Sequence, residues 1–191
     1  MLLQFNGFHG TSLSAAKKIV SSNYESSIGD DEWLGNGVYF FVDGISSKPD
    51  DQAKKWAIAQ SWDRKDQSYK YKNYCVISSV IEVEEENFLD LTKEEGVELL
   101  SYLSECFEKK IRKLNKRFKP IDGLLINLAR GEGILPIDVV KGNFYIKFAK
   151  ERIKNIILRT ANCTICTVYE PTKNITNSTI IEIGEIKDET E

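Results

Sequence analysis

An α+β fold is predicted, with helices interrupting a largely antiparallel β core. Three observations predict it: β-like runs at both ends of the chain, a strongly periodic helical stretch near its middle, and aromatic and β-branched clusters set off by Gly-, Pro- and Asp-rich turns. Taken in order along the 191 residues, 2–8 alternate as a strand that ends at His9-Gly10-Thr11, predicted as a tight turn. Ser12 or Ser14 then caps a short helix with Ala15, Ala16, Ile19 and Val20 on one face. Residues 23–34 are polar and form a loop, and 35–42 read as a turn followed by a buried strand. Pro49 with Asp50 and Asp51 starts a helix, since Pro suits the first helical position and carboxylates favour the positive end of the dipole. That helix runs through Trp56 to about Arg64 and puts Ala53, Trp56, Ala57 and Gln60 on one stripe.

Residues 74–84 form the next strand. From Lys93 to about Lys116 the pattern is helical, Val97, Leu100, Leu103, Phe107, Ile111 and Leu114 recurring at three and four. Periodicity alone leaves 121–148 between helix and strand; a helix from Ile121 is favoured, and Pro136 allows a second short one before Gly142. Residues 153–158, 164–169 and 179–186 close the chain as successive strands. One domain is expected over 1–191, with the acidic residues 185–191 as a solvated, frayed end.

Composition narrows the function. Hydrophobic residues make up 41% and charged residues 29%, enough apolar material for a packed core, which excludes wholesale disorder. Lys and Arg number 26 against 29 Asp and Glu, a net charge of -3, so any nucleic-acid contact must be local. His9 is the single histidine, which excludes mechanisms needing two imidazoles and most His-rich metal sites. Cys75, Cys106, Cys163 and Cys166 sit in apolar runs and are too sparse for a disulfide framework, so a reducing compartment is expected. Cys163-x-x-Cys166 is half a zinc site at most, and on a strand its thiols face opposite ways, so no metal is expected. The start lacks a basic region ahead of a long apolar stretch and no run of about 18 apolar residues occurs, giving the expectation of a cytoplasmic chain with no membrane segment.

Two short segments carry chemistry. In Phe8-His9-Gly10-Thr11 an imidazole lies beside a glycine whose backbone can be approached closely, an arrangement able to clamp a planar carboxamide. In Gly35-Asn36-Gly37-Val38-Tyr39-Phe40 a tyrosine enters a strand through a Gly-x-Gly turn and offers a flat wall for a heteroaromatic ring.

These two motifs resemble those of the ADP-ribosyltransferases of the diphtheria-toxin and poly(ADP-ribose) polymerase branch. His9-Gly10-Thr11 matches that family's His-Gly-Ser/Thr, and Gly35-Asn36-Gly37-Val38-Tyr39-Phe40 its Gly-x-Gly-Ile/Val-Tyr-Phe. Ser46-Ser47 and Ala53 look like its Ser-x-x-Ala segment, and Trp33-Leu-Gly-Asn-Gly-Val-Tyr-Phe-Phe41 resembles a form common in small bacterial members, in which a helix carrying Ala and Trp follows, as Ala53 and Trp56 do here; the resemblance covers roughly residues 5–60. It implies a split antiparallel β-sandwich with flanking helices and NAD as co-substrate, without metal. It further implies that Gly10 and Ser47 hold the nicotinamide carboxamide, that Tyr39 stacks on the ring, that His9 bonds a ribose hydroxyl, and that Thr11 contacts the adenosine half. Gly37 belongs to the same implied set of NAD-binding residues.

The third family position, a glutamate beginning a late strand, is matched best by Thr164, with Cys163 a less favoured register and Glu170 and Glu182 as alternatives on the same stretch. A threonine bonds but is no general base near neutral pH, so mono-transfer is expected and not chain elongation. The implied function is an NAD-dependent mono-ADP-ribosyltransferase acting on a protein or nucleic-acid acceptor, by analogy a toxin or phage-defence effector held in check by an antitoxin-like inhibitor protein. The alternatives are a silent NAD- or ADP-ribose-binding module and an NAD glycohydrolase. The basic run Lys109, Lys110, Arg112, Lys113, Lys116, Arg117 and Lys119 is either a solvated helix end or a local nucleic-acid contact.

Overall fold

The computed structural model describes residues 1–29, 31–114 and 121–187. Its elements are β1 (Leu2–Ser12), α1 (Leu13–Ser21), β2 (Val38–Val42), α2 (Pro49–Ser61), β3 (Trp62–Asp63), β4 (Ser68–Tyr69), β5 (Asn73–Glu84), β6 (Phe88–Asp90), α3 (Glu94–Lys113), α4 (Ile121–Gly131), β7 (Val139–Phe144), α5 (Ala149–Ile153), β8 (Cys163–Val168), α6 (Pro171–Asn174) and β9 (Ile175–Glu185). This is a mixed α+β fold. One large sheet runs in the order β6-β7-β8-β2-β1-β5-β9, and β3 with β4 forms a separate small hairpin. The large sheet is antiparallel throughout except between β6 and β7.

Alternation along the central strands gives the sheet two apolar faces. Phe41, Val76, Val140 and Ile165 lie on one face with Leu34, Ala53 and Ile126. Phe40, Ile77, Val139 and Cys166 lie on the other with Ala16 and Tyr24. Such a side chain, fully buried, stabilises by roughly 1.5–3 kcal/mol, so a register slip that reversed β2 would be costly. Leu103 and Phe107 of α3 pack on Leu125 and Ala129 of α4 in a third cluster.

Local signals explain several boundaries. Ser12 caps α1, its hydroxyl accepting from Ala15 N at 3.2 Å. Pro49 opens α2 with Asp50 and Asp51 in the first turn.

Other expectations are corrected. His9-Gly10-Thr11 is not a tight turn: β1 runs on through Ser12, because β5 offers it a partner at every position from Leu2 with Glu84 to Ser12 with Tyr74. No short helix follows Pro136; Val139 and Val140 are buried on opposite faces and pair with β8 as β7. Residues 153–158 are not a strand. Asn162 bonds directly to Phe144 O and Ile146, which closes the β7–β8 connection and leaves Ile156, Ile157 and Leu158 outside it, exposed. α2 ends at Ser61, before Arg64, because the chain turns into the β3–β4 hairpin. β6, three residues long, is an addition to the expected strands. Cys106 is exposed, unlike the other three cysteines, and all four are free thiols. Among the described residues no helix is long and apolar enough to cross a membrane.

Candidate functional site

β1 and β2 are registered at a single pair, Phe8 with Phe41, whereas β1 pairs with β5 along its whole length and β2 with β8 along its own. Beyond that pair, His9 and Gly10 of β1 face Tyr39 and Phe40 of β2 across a cavity of about 400 Å³ that all four line. The volume suits a small-molecule site, typically about 300–1,000 Å³. His9 takes the place of a ladder bond: its Nδ1 donates to Tyr39 O at 2.9 Å. The ring meets Tyr24 and Phe40 edge-on, with centroids 5.3 and 5.8 Å away.

A carbonyl only accepts, so Nδ1 carries the proton and Nε2 of the neutral ring keeps a lone pair for an external hydroxyl. Burial holds the His9 pKa below its ordinary 6.5, partly opposed by the bond to the Tyr39 carbonyl. The unfolded chain therefore binds the His9 proton more tightly than the folded one. The stability this gives is full above about pH 6.5 and is lost as pH falls through the folded pKa, by about 1.4 kcal/mol for each unit of depression. Urea midpoints measured from about pH 8 to pH 5 are expected to decline in that window, and His9→Gln to flatten the decline.

The Tyr39 hydroxyl is committed to the preceding turn. It donates to Gly35 O at 2.7 Å and accepts from Leu34 N at 2.9 Å, across a glycine whose φ of +83° few other residues adopt. Burial above all raises its pKa, with the nearby Glu32 carboxylate adding to the rise. The face of the ring, and not its oxygen, is what Tyr39 offers the cavity.

Trp33 and Trp56 complete the aromatic walls. Each is braced from behind: Trp33 stacks on Phe144 with centroids 5.3 Å apart and planes at 22°, and the Arg152 guanidinium lies 5.1 Å from the centre of the Trp56 ring. Glu25, Asp31 and Glu32 bring carboxylates to the cavity, and among the described residues no Lys or Arg lines it. Glu32 is the best anchored of the three. Its carboxylate accepts the Ser27 hydroxyl, Ser27 is tied to Gly37 by two backbone bonds of 2.9 and 3.0 Å, and a Cβ on Gly123 of α4 would sit 1.9 Å from Glu32 O. Asn127 of α4 also takes Asn36 N at 2.9 Å, so one helix holds the whole turn.

The structure thus brings His9, Gly10, Gly37 and Tyr39 to one cavity and leaves the other expected residues away from its lining. Thr11 points to the same side of β1 as His9, half-buried. Ser47 is exposed in the β2–α2 loop. Thr164 is fully buried, its hydroxyl donating to Asn143 Oδ1 at 2.7 Å and accepting from Ile45 N at 3.0 Å. Cys163 is buried too, its thiol donating to Phe144 O. Glu170 pairs with Arg130 at 3.2 Å, and Glu182 accepts from Lys54 at 2.6 Å and Tyr74 at 2.7 Å. In the basic run Lys110 pairs with Glu132 and Arg112 with Glu108; Lys116, Arg117 and Lys119 lie outside the described residues.

Glu32, and a wall-forming role for Trp33, are what sequence reasoning missed. The signal was their position directly ahead of Leu34-Gly35-Asn36-Gly37 in a segment read as plain loop.

No protein-family model matches the chain. Over 87 residues, 45% of its length, it is 33% identical to an uncharacterized protein of Methanocaldococcus jannaschii, and the match spans 36% of that protein.

Proposed function

We propose that the chain is an NAD-dependent mono-ADP-ribosyltransferase acting on a macromolecular acceptor, built on the split antiparallel sheet of that family. One observation carries the reading: His9 and Tyr39, from the two separate motifs, line one cavity whose walls are aromatic and whose charged lining groups, among the described residues, are carboxylates. Such a lining suits a cationic heteroaromatic ring such as the nicotinamide of NAD, which stacks on π-faces and is favoured by nearby negative charge. The lone β1–β2 pair, which nearly divides the sheet, supports the split-sheet part of the reading.

NAD would supply the ADP-ribosyl group: nicotinamide leaves with the bonding pair as an acceptor heteroatom bonds to the anomeric carbon and gives up its proton. The chain's own residues serve that exchange. Trp33, Tyr39 and Trp56 orient the ring, and His9 accepts from a ribose hydroxyl through Nε2. Glu32 faces the positive charge that develops on the sugar and takes the acceptor's proton, the part a threonine at 164 cannot play. A role as a toxin or defence effector with its own inhibitor protein rests on analogy with small bacterial relatives of this kind.

The sealed hydroxyl of Thr164 favours one competing reading, a module that binds NAD or ADP-ribose without turnover. Incubating the chain with adenylate-labelled NAD and cell lysate separates the cases. Label on protein or nucleic acid is the expected result and should vanish in His9→Ala and Tyr39→Ala; free ADP-ribose would mean a glycohydrolase, and neither product a silent binder.

A further inference from the structure

A second and larger hollow, about 1060 Å³, lies between the end of α2, the β3–β4 hairpin, α5 and the last residues of β9. Its charge is opposite in sign to that of the cavity. Among the described residues five Lys or Arg side chains line it against one carboxylate, Glu185, on a chain whose net charge is -3. Lys54 is matched by Glu182, but among the described residues Arg64, Lys72, Arg152 and Lys187 form no ion pair. Asp63, nearest in sequence to Arg64, spends its carboxylate on the backbone of Lys65 and Asp66 within the hairpin turn.

Arg152 is held from both sides, its Nε donating to Lys147 O at 2.7 Å and an Nη to Ala59 O at 3.2 Å. Burial, and after it the nearby charge on Arg64, disfavours the protonated form of Arg152. Trp62 and Tyr69, paired across the hairpin with centroids 5.0 Å apart, add aromatic surface to the same hollow. The hollow also adjoins the cavity: Arg152 on one side stands over the ring of Trp56 on the other.

We infer that this cleft binds a single strand of nucleic acid, holding its phosphates on Arg64, Lys72, Arg152 and Lys187 and its bases against the hairpin aromatics, and so presents the acceptor to the cavity. Uncompensated cations along a groove recognise any polyanion, but the accompanying aromatic platform favours bases over the carboxylates of an acidic peptide. The choice of acceptor rests on the transferase reading; the binding does not.

The test uses the full chain without NAD and a fluorescein-labelled single-stranded RNA of about twelve nucleotides, long enough to cross such a groove. Anisotropy titrations should give a Kd in the micromolar range at about 50 mM salt, and log K should fall with log salt at a slope of about -2 to -3 for three to four phosphates. Arg64→Glu with Lys72→Glu should raise Kd at least about tenfold and flatten the slope by about one, while Lys17→Glu with Lys18→Glu on exposed α1 changes neither. Thermal unfolding confirms that both double variants are folded. The proposal is overturned if the RNA does not bind at low salt, if the α1 variant loses as much affinity, or if a polyglutamate peptide displaces the label at lower concentration than unlabelled RNA. Binding that persists in a chain that consumes no NAD would sink the transferase reading and leave the cleft standing; NAD consumption with RNA binding untouched by Arg64 and Lys72 would do the reverse.

Discussion

On the transferase reading, Glu32→Gln is expected to lower NAD turnover by about 10²–10³-fold while NAD binding changes by less than about threefold. The amide is nearly isosteric and still accepts the Ser27 hydroxyl, so the turn that carries it should keep its shape. What is lost is a negative charge beside a developing positive one, together with the acceptor for a proton. Because charge on the sugar grows only towards the transition state, the penalty should fall on kcat and leave KM nearly alone. Nicotinamide release by the variant, set beside calorimetric binding of NAD, separates the two quantities. Full turnover would remove Glu32 from the chemistry; loss of binding in parallel would make it a binding residue only.

Gly10→Ala is expected to destabilise the fold by about 3 kcal/mol or more, lowering Tm by roughly 6–12 °C. The added Cβ would lie 1.8 Å from Ala53 O and 2.6 Å from Ala53 C. Both belong to the backbone of α2, and Gly10 itself is paired to β5, so neither side of the contact can give way cheaply. Gly131→Ala is the matching control. It ends α4 with nothing within 4 Å of its added Cβ and should be neutral or stabilising by about 0.4–1 kcal/mol. Differential scanning calorimetry of the two variants is the measurement, and an unchanged Tm for Gly10→Ala would refute the packing role. The resemblance assigned Gly10 to a carboxamide; the closeness of helix and strand demands glycine there before any ligand arrives.

Much of the fold was readable because local chemistry and tertiary context agree. The Ser12 cap, Pro49 at the start of α2, and the strands around Tyr39, Val76 and Ile165 all follow from residue type and period. Where they disagree, the sequence misled: His-Gly-Thr resembles a turn, and only the unbroken partnership of β5 draws it into β1. Ile156, Ile157 and Leu158 look like a strand but have no sheet to join. His9 and Tyr39, which line the cavity, were singled out because each stands within two residues of a glycine in a motif. Glu32 was not, since an acid in a loop is ordinary until the Ser27–Gly37 bridge folds that loop over the cavity. Thr164 shows the limit set by register: its place on β8 was right, but which neighbours close over it depends on β7 and the Ile45 backbone, far away in the chain. The basic cleft gathers residues from positions 54 to 187 and leaves no pattern in any short window.

The single pair joining β1 to β2 also bears on mechanics. With Phe8 and Phe41 alone in register, the sheet has a fault line down its middle, bridged by the His9 side chain and by α2, whose Ala53 touches Gly10 and packs with Phe41. A ligand seated between His9 and Tyr39 would span that fault as a rivet, tying together halves that the backbone barely joins. Occupancy and cohesion then become one quantity: at a hundred times its dissociation constant, such a ligand adds about 2.7 kcal/mol of resistance to unfolding. Amide exchange along the fault should slow with it.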